Sequence, residues 1–130
     1  MKYENPREIP PVEVCFSFVG GRLRGAIIWY LAQGRPMRYG ELKRCLPKTN
    51  PKLLSQQLRA LESEGVLQRT VYTEETLRVE YALTEFGKSL WPVVQSAHQW
   101  GIQYVNGLSE QEARYTDDVR SIYTKEESSR

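Results

Sequence analysis

Five polar side chains share one side of the segment from Asn50 to Gly65. They are Lys52, Ser55, Gln56, Arg59 and Ser63. Glutamine and arginine present paired hydrogen-bonding groups, serine can donate or accept, and lysine carries a positive charge. Such a face suits an anionic partner whose surface also offers donors and acceptors, and it differs from the Glu/Lys mixture of an ordinary solvated face. The alternative is that these side chains simply face water.

A helix beginning after Asn50 must position these side chains. Asn50 is a favourable N-cap, and Pro51 loses no hydrogen bond at the first helical position. Gly65 suits a left-handed C-terminal cap. A stripe with a 3.6-residue period is predicted to be buried on the opposite side and consists of Leu54, Leu58 and Leu61.

The chain has 130 residues, enough for one small domain, with the composition of an ordinary globular protein. No run approaches eighteen apolar residues, and "MKYENPREIPP" lacks a signal-peptide core. We therefore predict a cytoplasmic protein with no membrane contact. Cys15 and Cys45 form neither a disulfide framework nor a CxxC motif and are interpreted as reduced thiols. No cofactor or metal site is predicted.

Basic residues concentrate in the middle of the chain. From residue 35 to 78 there are nine against five acidic ones: Arg35, Arg38, Lys43, Arg44, Lys48, Lys52, Arg59, Arg69 and Arg78. From residue 107 to 130 there are four basic and six acidic residues. This gradient favours a polyanionic partner for the middle of the chain, although a surface of mixed sign is the alternative.

Three regions are predicted: a flexible N-terminal arm (1–10), one folded domain (11–108) and a polar tail (109–130) that can add a short helix. The domain begins with an amphipathic helix that ends at Gly20, and its apolar positions are Val12, Cys15, Phe16 and Val19. A mostly apolar helix then runs to Gly34. "MRYGELKRCLP" predicts a third helix that ends at Pro47. With the short link before Asn50, this pattern is typical of a helix-turn-helix.

The period changes after Gly65. Residues 67–73 and 78–83 alternate and are rich in β-branched and aromatic types, which predicts a two-stranded hairpin turning around "EETL". Thr84 then caps a long predicted helix that extends to about Gly107, and Pro92 inside it is expected to bend the helix or to cost it a hydrogen bond. Helix-turn-helix followed by hairpin defines a winged helix-turn-helix, a mostly helical α+β fold. Its second helix fits the major groove of DNA, with Arg78 at the hairpin. A winged helix used for protein–protein contact or non-specific DNA binding is the alternative.

The residues from Pro11 to Gly101 resemble the HxlR-type regulators, relatives of the MarR group. The specific part is "LSQQLRALESEGVLQRTVY" followed by "RVEYALTEFGKSL". The resemblance implies a bacterial transcription factor that binds a near-palindromic operator as a homodimer through Ser55, Gln56 and Arg59. With the phosphate and wing contacts, the predicted DNA-binding set is Arg38, Lys48, Thr49, Asn50, Lys52, Ser55, Gln56, Arg59 and Arg78.

The first and the long C-terminal helices form the dimer interface in such proteins. The residues expected there are Val12, Cys15, Phe16, Val19, Leu90, Val94, Ala97, Gly101 and Tyr104. Family members often have a Cys-Pro pair about ten residues before the Gly-Gly turn, and that cysteine can sense oxidants. Here Pro10-Pro11 stands at that place and Cys15 follows later. We interpret both cysteines as small core residues, with a sensing Cys15 at the dimer axis as the alternative.

Neither catalysis nor ligand binding is favoured. No combination of nucleophile, base and metal ligands can be assembled around His98, the only histidine, and no GxGxxG or GxxxxGK[ST] motif occurs, so an enzyme is not predicted. A small-molecule effector remains possible in a pocket lined by aromatic residues, but a core role is favoured for them. These residues are Trp29, Tyr30, Trp91, Trp100 and Tyr104.

Overall fold

The computed structural model describes residues 2–73 and 77–108, and it confirms a mostly helical α+β fold. The helices are α1 (Pro11–Val19), α2 (Arg24–Leu31), α3 (Tyr39–Cys45), α4 (Pro51–Ser63), α5 (Glu85–Ser89) and α6 (Trp91–Asn106). The strands are β1 (Met37–Arg38), β2 (Leu67–Tyr72) and β3 (Arg78–Leu83). The pair α3–α4 is the predicted helix-turn-helix, and β2 with β3 forms the predicted hairpin, which we call the wing.

The sheet has three antiparallel strands in the order β1-β3-β2. The wing pairs in register from Leu67 opposite Leu83 to Tyr72 opposite Arg78. The sequence interpretation placed Met37 and Arg38 in the third helix, which is wrong, because both pair with β3. A strand of two residues is too short to show a period of two. The hairpin turn around "EETL" falls mostly on residues 74–76, outside the described residues.

The core lies between α2, α3, α4 and the base of the sheet. Its buried members include the predicted α4 stripe and the apolar side of α2: Ile27, Ile28, Leu31, Leu42, Leu54, Leu58, Leu61, Val66 and Leu67. Each fully buried aliphatic side chain contributes about 1.5–3 kcal/mol to folding. This burial orients α4, because its three leucines are at most 1% exposed and leave only its opposite side for a partner.

The predicted long C-terminal helix is two helices, which corrects the sequence interpretation. Thr84 caps α5 as expected, its side-chain oxygen accepting from Gly87 N at 3.0 Å. The chain then breaks at Leu90, and Pro92 lies in the first turn of α6. An N–H in the first turn of a helix has no intrahelical acceptor, so the lack of one in Pro92 costs nothing there. Pro92 therefore starts a helix rather than bending one.

The N-terminal arm contains one turn of 3₁₀ helix, Pro6–Glu8, and Lys2 contacts the folded domain. The flexibility predicted for residues 1–10 remains a prediction. The polar tail 109–130 lies outside the described residues, and so does its short helix. Among the described helices no single one is long and apolar enough to cross a membrane; α1 and α2 would meet that test only together, and they are bent by 73°.

Candidate nucleic-acid interface

Local hydrogen bonds set the start and end of α4. Asn50 Oδ1 accepts from Lys52 N at 2.7 Å, which confirms the predicted cap. The Tyr39 hydroxyl donates to Pro51 O at 3.3 Å and ties α3 to the first turn of α4. Gly65 has φ +81°, the left-handed conformation expected after the helix. Local geometry therefore sets both ends of α4, and Tyr39 ties its first turn to α3.

The predicted polar face of α4 is on the surface. Lys52, Gln56, Arg59 and Ser63 are exposed, and Ser55 is half-buried beside them. The turn before the helix adds exposed Lys48 with half-buried Thr49 and Asn50, and Arg38 is exposed at the start of α3. The structure thus leaves the predicted helix and turn residues exposed or half-buried, outside the core.

The charged side chains fall into two groups. Arg24, Arg35, Arg78 and Lys88 each pair with a carboxylate, at 2.9, 3.0, 3.1 and 3.1 Å respectively. Within residues 2–73 and 77–108, the side chains of Arg38, Lys48, Arg59 and Arg69 form no ion pair and no hydrogen bond. Arg59 lies on α4, Lys48 in the turn before it and Arg69 across a cleft from it, so these charges are available to attract an anion.

The wing presents its two arginines differently. Arg78 Nε lies 3.1 Å from the Glu80 carboxylate, and its guanidinium stacks 4.2 Å from the Tyr72 ring centre. The wing basic residue predicted from the sequence is therefore already engaged. Arg69 is exposed on β2 and was not predicted as a contact. Only the strand register, which shows the face on which each arginine lies, could have found it.

One end of α4 is held by a cluster that the sequence did not reveal. Arg24 donates to both carboxylate oxygens of Glu64 at 2.9 Å and to Gln57 Oε1 at 3.0 Å. Lys2 Nζ lies 2.7 Å from the same carboxylate and also donates to Ser17 O. The Glu64 side chain is only 15% exposed. Its partners are forty and more residues away in sequence, beyond any local pattern.

The electrostatics of Glu64 follow from this cluster. Burial by itself raises the pKa of a carboxyl group, but hydrogen bonds from Arg24 and Lys2 outweigh it, and the pKa of Glu64 lies below its ordinary value. At neutral pH the carboxylate is charged and joins α2, α4 and the N-terminal arm. Its role is to hold α4 in place.

The residues predicted for a dimer interface divide into two sets. Val12, Phe16 and Tyr104 are exposed, at 61%, 60% and 51%. Ala97 is exposed, while Cys15, Val19 and Gly101 are half-buried. Leu90 and Val94 are buried in the core of the protomer, at 7% and 5% exposure, and their place at a dimer interface stays a prediction. They support α6 from beneath because α6 packs against α2.

Aromatic residues were predicted to be core, and this holds for only part of the set. Trp29 and Tyr30 pack against the core, and Trp29 stacks on His98 at 3.6 Å and lies 5.1 Å from Trp91. Trp100, in contrast, is 66% exposed and stacks on Tyr104 at 5.3 Å. An apolar groove of about 460 Å³ separates α1 and α2 from α6, with Phe16 and Ala97 on its walls.

The two cysteines are free thiols and both half-buried, but they differ in whether they pack against the core. Cys45 packs against the core, as predicted. Cys15 is half-buried and lies outside the core cluster, so its interpretation as a core residue is wrong. The reason is that the side of α1 carrying Phe16, which is 60% exposed, is not covered by the described residues. No group of three or more His, Cys, Asp or Glu side chains is arranged to hold a metal ion in the described part of the chain.

These elements define a winged-helix DNA-binding protein. The HxlR-like helix-turn-helix family model matches residues 18–109, most of the chain. The chain therefore belongs to the HxlR-like helix-turn-helix family, and it is a transcriptional regulator rather than an enzyme.

Relatives and solved structures agree with this assignment. The HTH-type transcriptional regulator YdeP of Bacillus subtilis is 38% identical over 79% of this chain and 80% of its own length. The crystal structure of the putative regulator ytcD has a TM-score of 0.68 at 38% identity and covers 75% of this chain and 99% of its own. The redox regulator HypR, in its reduced form, also has a TM-score of 0.68, at 36% identity over 72% of this chain and 92% of its own.

Proposed function

We propose that this regulator binds a near-palindromic operator as a homodimer, with one α4 helix in the major groove of each half-site. The observation that carries the proposal is the exposed polar face of α4, with unpaired Arg59 at its centre and the wing beside it. An α-helix with side chains is about 10–12 Å wide and fits a major groove about 12 Å wide. Such a protein acts in the cytoplasm, at the chromosomal DNA.

Base and phosphate contacts follow from the position of each side chain. Gln56 and Arg59 project from the exposed middle of α4 and can form paired hydrogen bonds with adenine and guanine edges. Ser55 is half-buried beside them, and its hydroxyl can donate a hydrogen bond to a neighbouring base edge or accept one from it. The turn and first helical residues meet the backbone phosphates, together with Arg38 and the wing residue Arg78. These backbone contacts set the register of the protein on the duplex and carry no sequence information themselves. The turn and first helical residues that make them are Lys48, Thr49, Asn50 and Lys52.

Exposed apolar residues support the homodimer. Val12 and Phe16 on α1, with Trp100 and Tyr104 on α6, are large and exposed, and apolar surface of this kind marks interaction sites. A symmetric contact through these two helices would place the two α4 helices about one DNA turn, ~34 Å, apart. Non-specific DNA binding, or protein–protein contact by the winged helix, is the alternative and predicts no preferred spacing.

Selection from a randomised duplex library tests the operator proposal. We expect enrichment of inverted half-sites whose centres are about 10 bp, or a multiple of that, apart. Enrichment of single half-sites would contradict the dimer, and no enrichment at all would favour non-specific binding. Either result leaves the family assignment intact.

Sedimentation of Gly101→Glu tests the interface directly. A Cβ at Gly101 meets no atom within 4 Å, so the protomer tolerates the change. Placed in an apolar interface, the new carboxylate would be desolvated, which disfavours dimers. We expect a folded monomer with poor operator affinity, whereas Gly101→Ala should remain dimeric. A dimeric Gly101→Glu protein would place the interface elsewhere.

A further inference from the structure

The cleft between α4 and the wing contains four side chains to which the proposed contacts assign no role: Glu62, Ser63, Arg69 and Tyr81. It has a volume of about 660 Å³ and is open to solvent. Its lining residues come from α4 and from both strands of the wing: Ser55, Arg59, Glu62, Ser63, Arg69 and Tyr81. A water molecule occupies about 30 Å³ in the liquid, so the space admits a much larger group.

Strand register places Arg69 on the α4 side of the wing. Arg69 is paired with Tyr81 across the two strands, and both line the cleft. Side chains alternate between the faces of a strand, so Arg78, three residues before Tyr81, lies on the other face. There it is accompanied by Glu80 and by Tyr72, its cross-strand neighbour. The two wing arginines therefore point to different sides of the sheet.

The two arginines also differ in how far their charge is neutralised. Arg78 is paired with Glu80, and its guanidinium covers the Tyr72 ring. In the described ranges, neither Arg69 nor Arg59 has a carboxylate within ion-pair distance. An arginine presents a planar fork of donors that matches the oxygens of a phosphate. Arg59 and Arg69 stand on facing walls of a cleft that also holds Glu62, so two guanidinium groups outnumber one carboxylate among its lining residues.

We propose that this cleft seats a backbone phosphate of the bound DNA and that Arg69 is its principal cationic contact in the wing. This inference rests on the proposed binding of duplex DNA. Arg78 contributes less because it must first leave Glu80. Tyr81 and Ser63 supply hydroxyl groups at the same cleft. Glu62 also lines it and repels the phosphate, so it limits the affinity that the two arginines can give.

Binding to a random-sequence duplex at several salt concentrations tests the site without knowledge of the operator. Arg69→Ala should weaken binding roughly tenfold, as expected for a hydrogen bond to a charged group. The slope of log K against log salt should fall by about 0.9 for each protomer on the duplex. Arg69→Lys should keep the slope, because it keeps the charge. Arg78→Ala is the matched control and should change affinity and slope less.

Glu62→Gln provides a test of opposite sign. Removal of this carboxylate should tighten binding to the same duplex, because a repulsive charge leaves the phosphate site. Glu62 is exposed, so Glu62→Gln should fold as the unaltered protein does. Tighter binding by this variant cannot come from misfolding, so the test holds even if Arg69→Ala does not fold. Glu85→Gln, exposed on α5 and not among the residues that line the cleft, is the charge-matched control and should leave binding unchanged.

The outcomes separate this inference from the function on which it rests. Failure of the unaltered protein to bind any duplex would remove the proposed function itself. If it binds and Arg69→Ala keeps its affinity and salt slope, only the phosphate site is wrong. An effect of Arg78→Ala equal to that of Arg69→Ala would overturn the asymmetry of the wing, and unchanged binding by Glu62→Gln would place the phosphate outside the cleft.

Discussion

The two polar regions of α4 use the same residue types for opposite purposes. At its C-terminal end, Arg24, Gln57 and Glu64 are joined by hydrogen bonds of 2.9–3.0 Å, and their charges cancel. Along its exposed face, Arg59 has no ion-pair partner among the described residues, and nearby Arg69 has none either. Charges that are neutralised internally hold the helix in place, whereas charges left unpaired are available to a polyanion. Pairing, rather than residue type, distinguishes support from recognition.

The largest effect that this contrast predicts is on stability. Arg24→Ala leaves the half-buried Glu64 carboxylate with Lys2 alone and removes a donor to Gln57. Breaking a fully buried pair costs ~3–5 kcal/mol. The two side chains keep 14% and 15% of their exposure, so we expect a loss of about 2–3 kcal/mol. Urea unfolding measures it, with exposed Arg35→Ala as the matched control, expected to change stability by less than ~0.5 kcal/mol.

A change on the recognition face should have the reverse profile. Arg59→Ala should leave urea unfolding within about 0.5 kcal/mol of the unaltered protein, because its side chain is exposed and unpaired. It should lower discrimination between the selected operator and random DNA by about 1–3 kcal/mol at its base pair. Gln56→Ala should behave alike. Equal losses of affinity for both DNAs would mean that Arg59 contacts phosphate rather than a base.

The region of α4 that is held by Arg24 and Glu64 could be predicted from the sequence only in part. Leu54, Leu58 and Leu61 predicted α4 because helical periodicity is local, and alternation predicted β2 and β3 for the same reason. The partnership of Arg24 with Glu64 spans forty residues and depends on how α2 packs against α4. No local pattern contains that information. The break at Leu90 was missed because Pro92 fits both a bent helix and the first turn of a new one.

The recognition region shows the same limit. Its helix face was predicted because the residues opposite a leucine stripe are known once the helix is known. The wing contact was assigned to Arg78 rather than Arg69. A hairpin pattern predicts the two strands but not which face of the sheet points toward α4. The pairing of Arg69 with Tyr81 is a property of the assembled sheet. Local structure was thus predictable, and the orientation of one element toward another was not.

A smaller effect should appear in the pH dependence of stability. The pKa of Glu64 in the folded protein is lowered, so its contribution is fully present above the unfolded value of about 4.3. It is lost as pH falls from there through the lower folded pKa. Glu64→Gln should therefore reduce stability at pH 7 and flatten its decline in acid, as measured by urea unfolding from neutral pH downward. The pKa of Glu41 is also lowered, by the hydrogen bond from Arg38 N, and it will leave a residual decline. A Glu64→Gln protein with an unchanged acid decline would show that the cluster does not couple to folding.

The smallest effect is expected at Cys15, which belongs to neither polar region. A reactive cysteine needs a thiolate, which nearby positive charge or a helix N-terminus stabilises. Helix α1 carries Glu13 and no basic residue, and Cys15 lies in its middle. We therefore expect mild diamide or quinone treatment to leave operator binding unchanged and Cys15→Ala to bind as the unaltered protein does. Cys15 is half-buried on the proposed dimer surface, where two copies could meet, and this suggests the result that would contradict the prediction. A disulfide between two protomers, accompanied by a loss of DNA affinity that Cys15→Ala abolishes, would make the dimer axis a thiol switch acting on the recognition face.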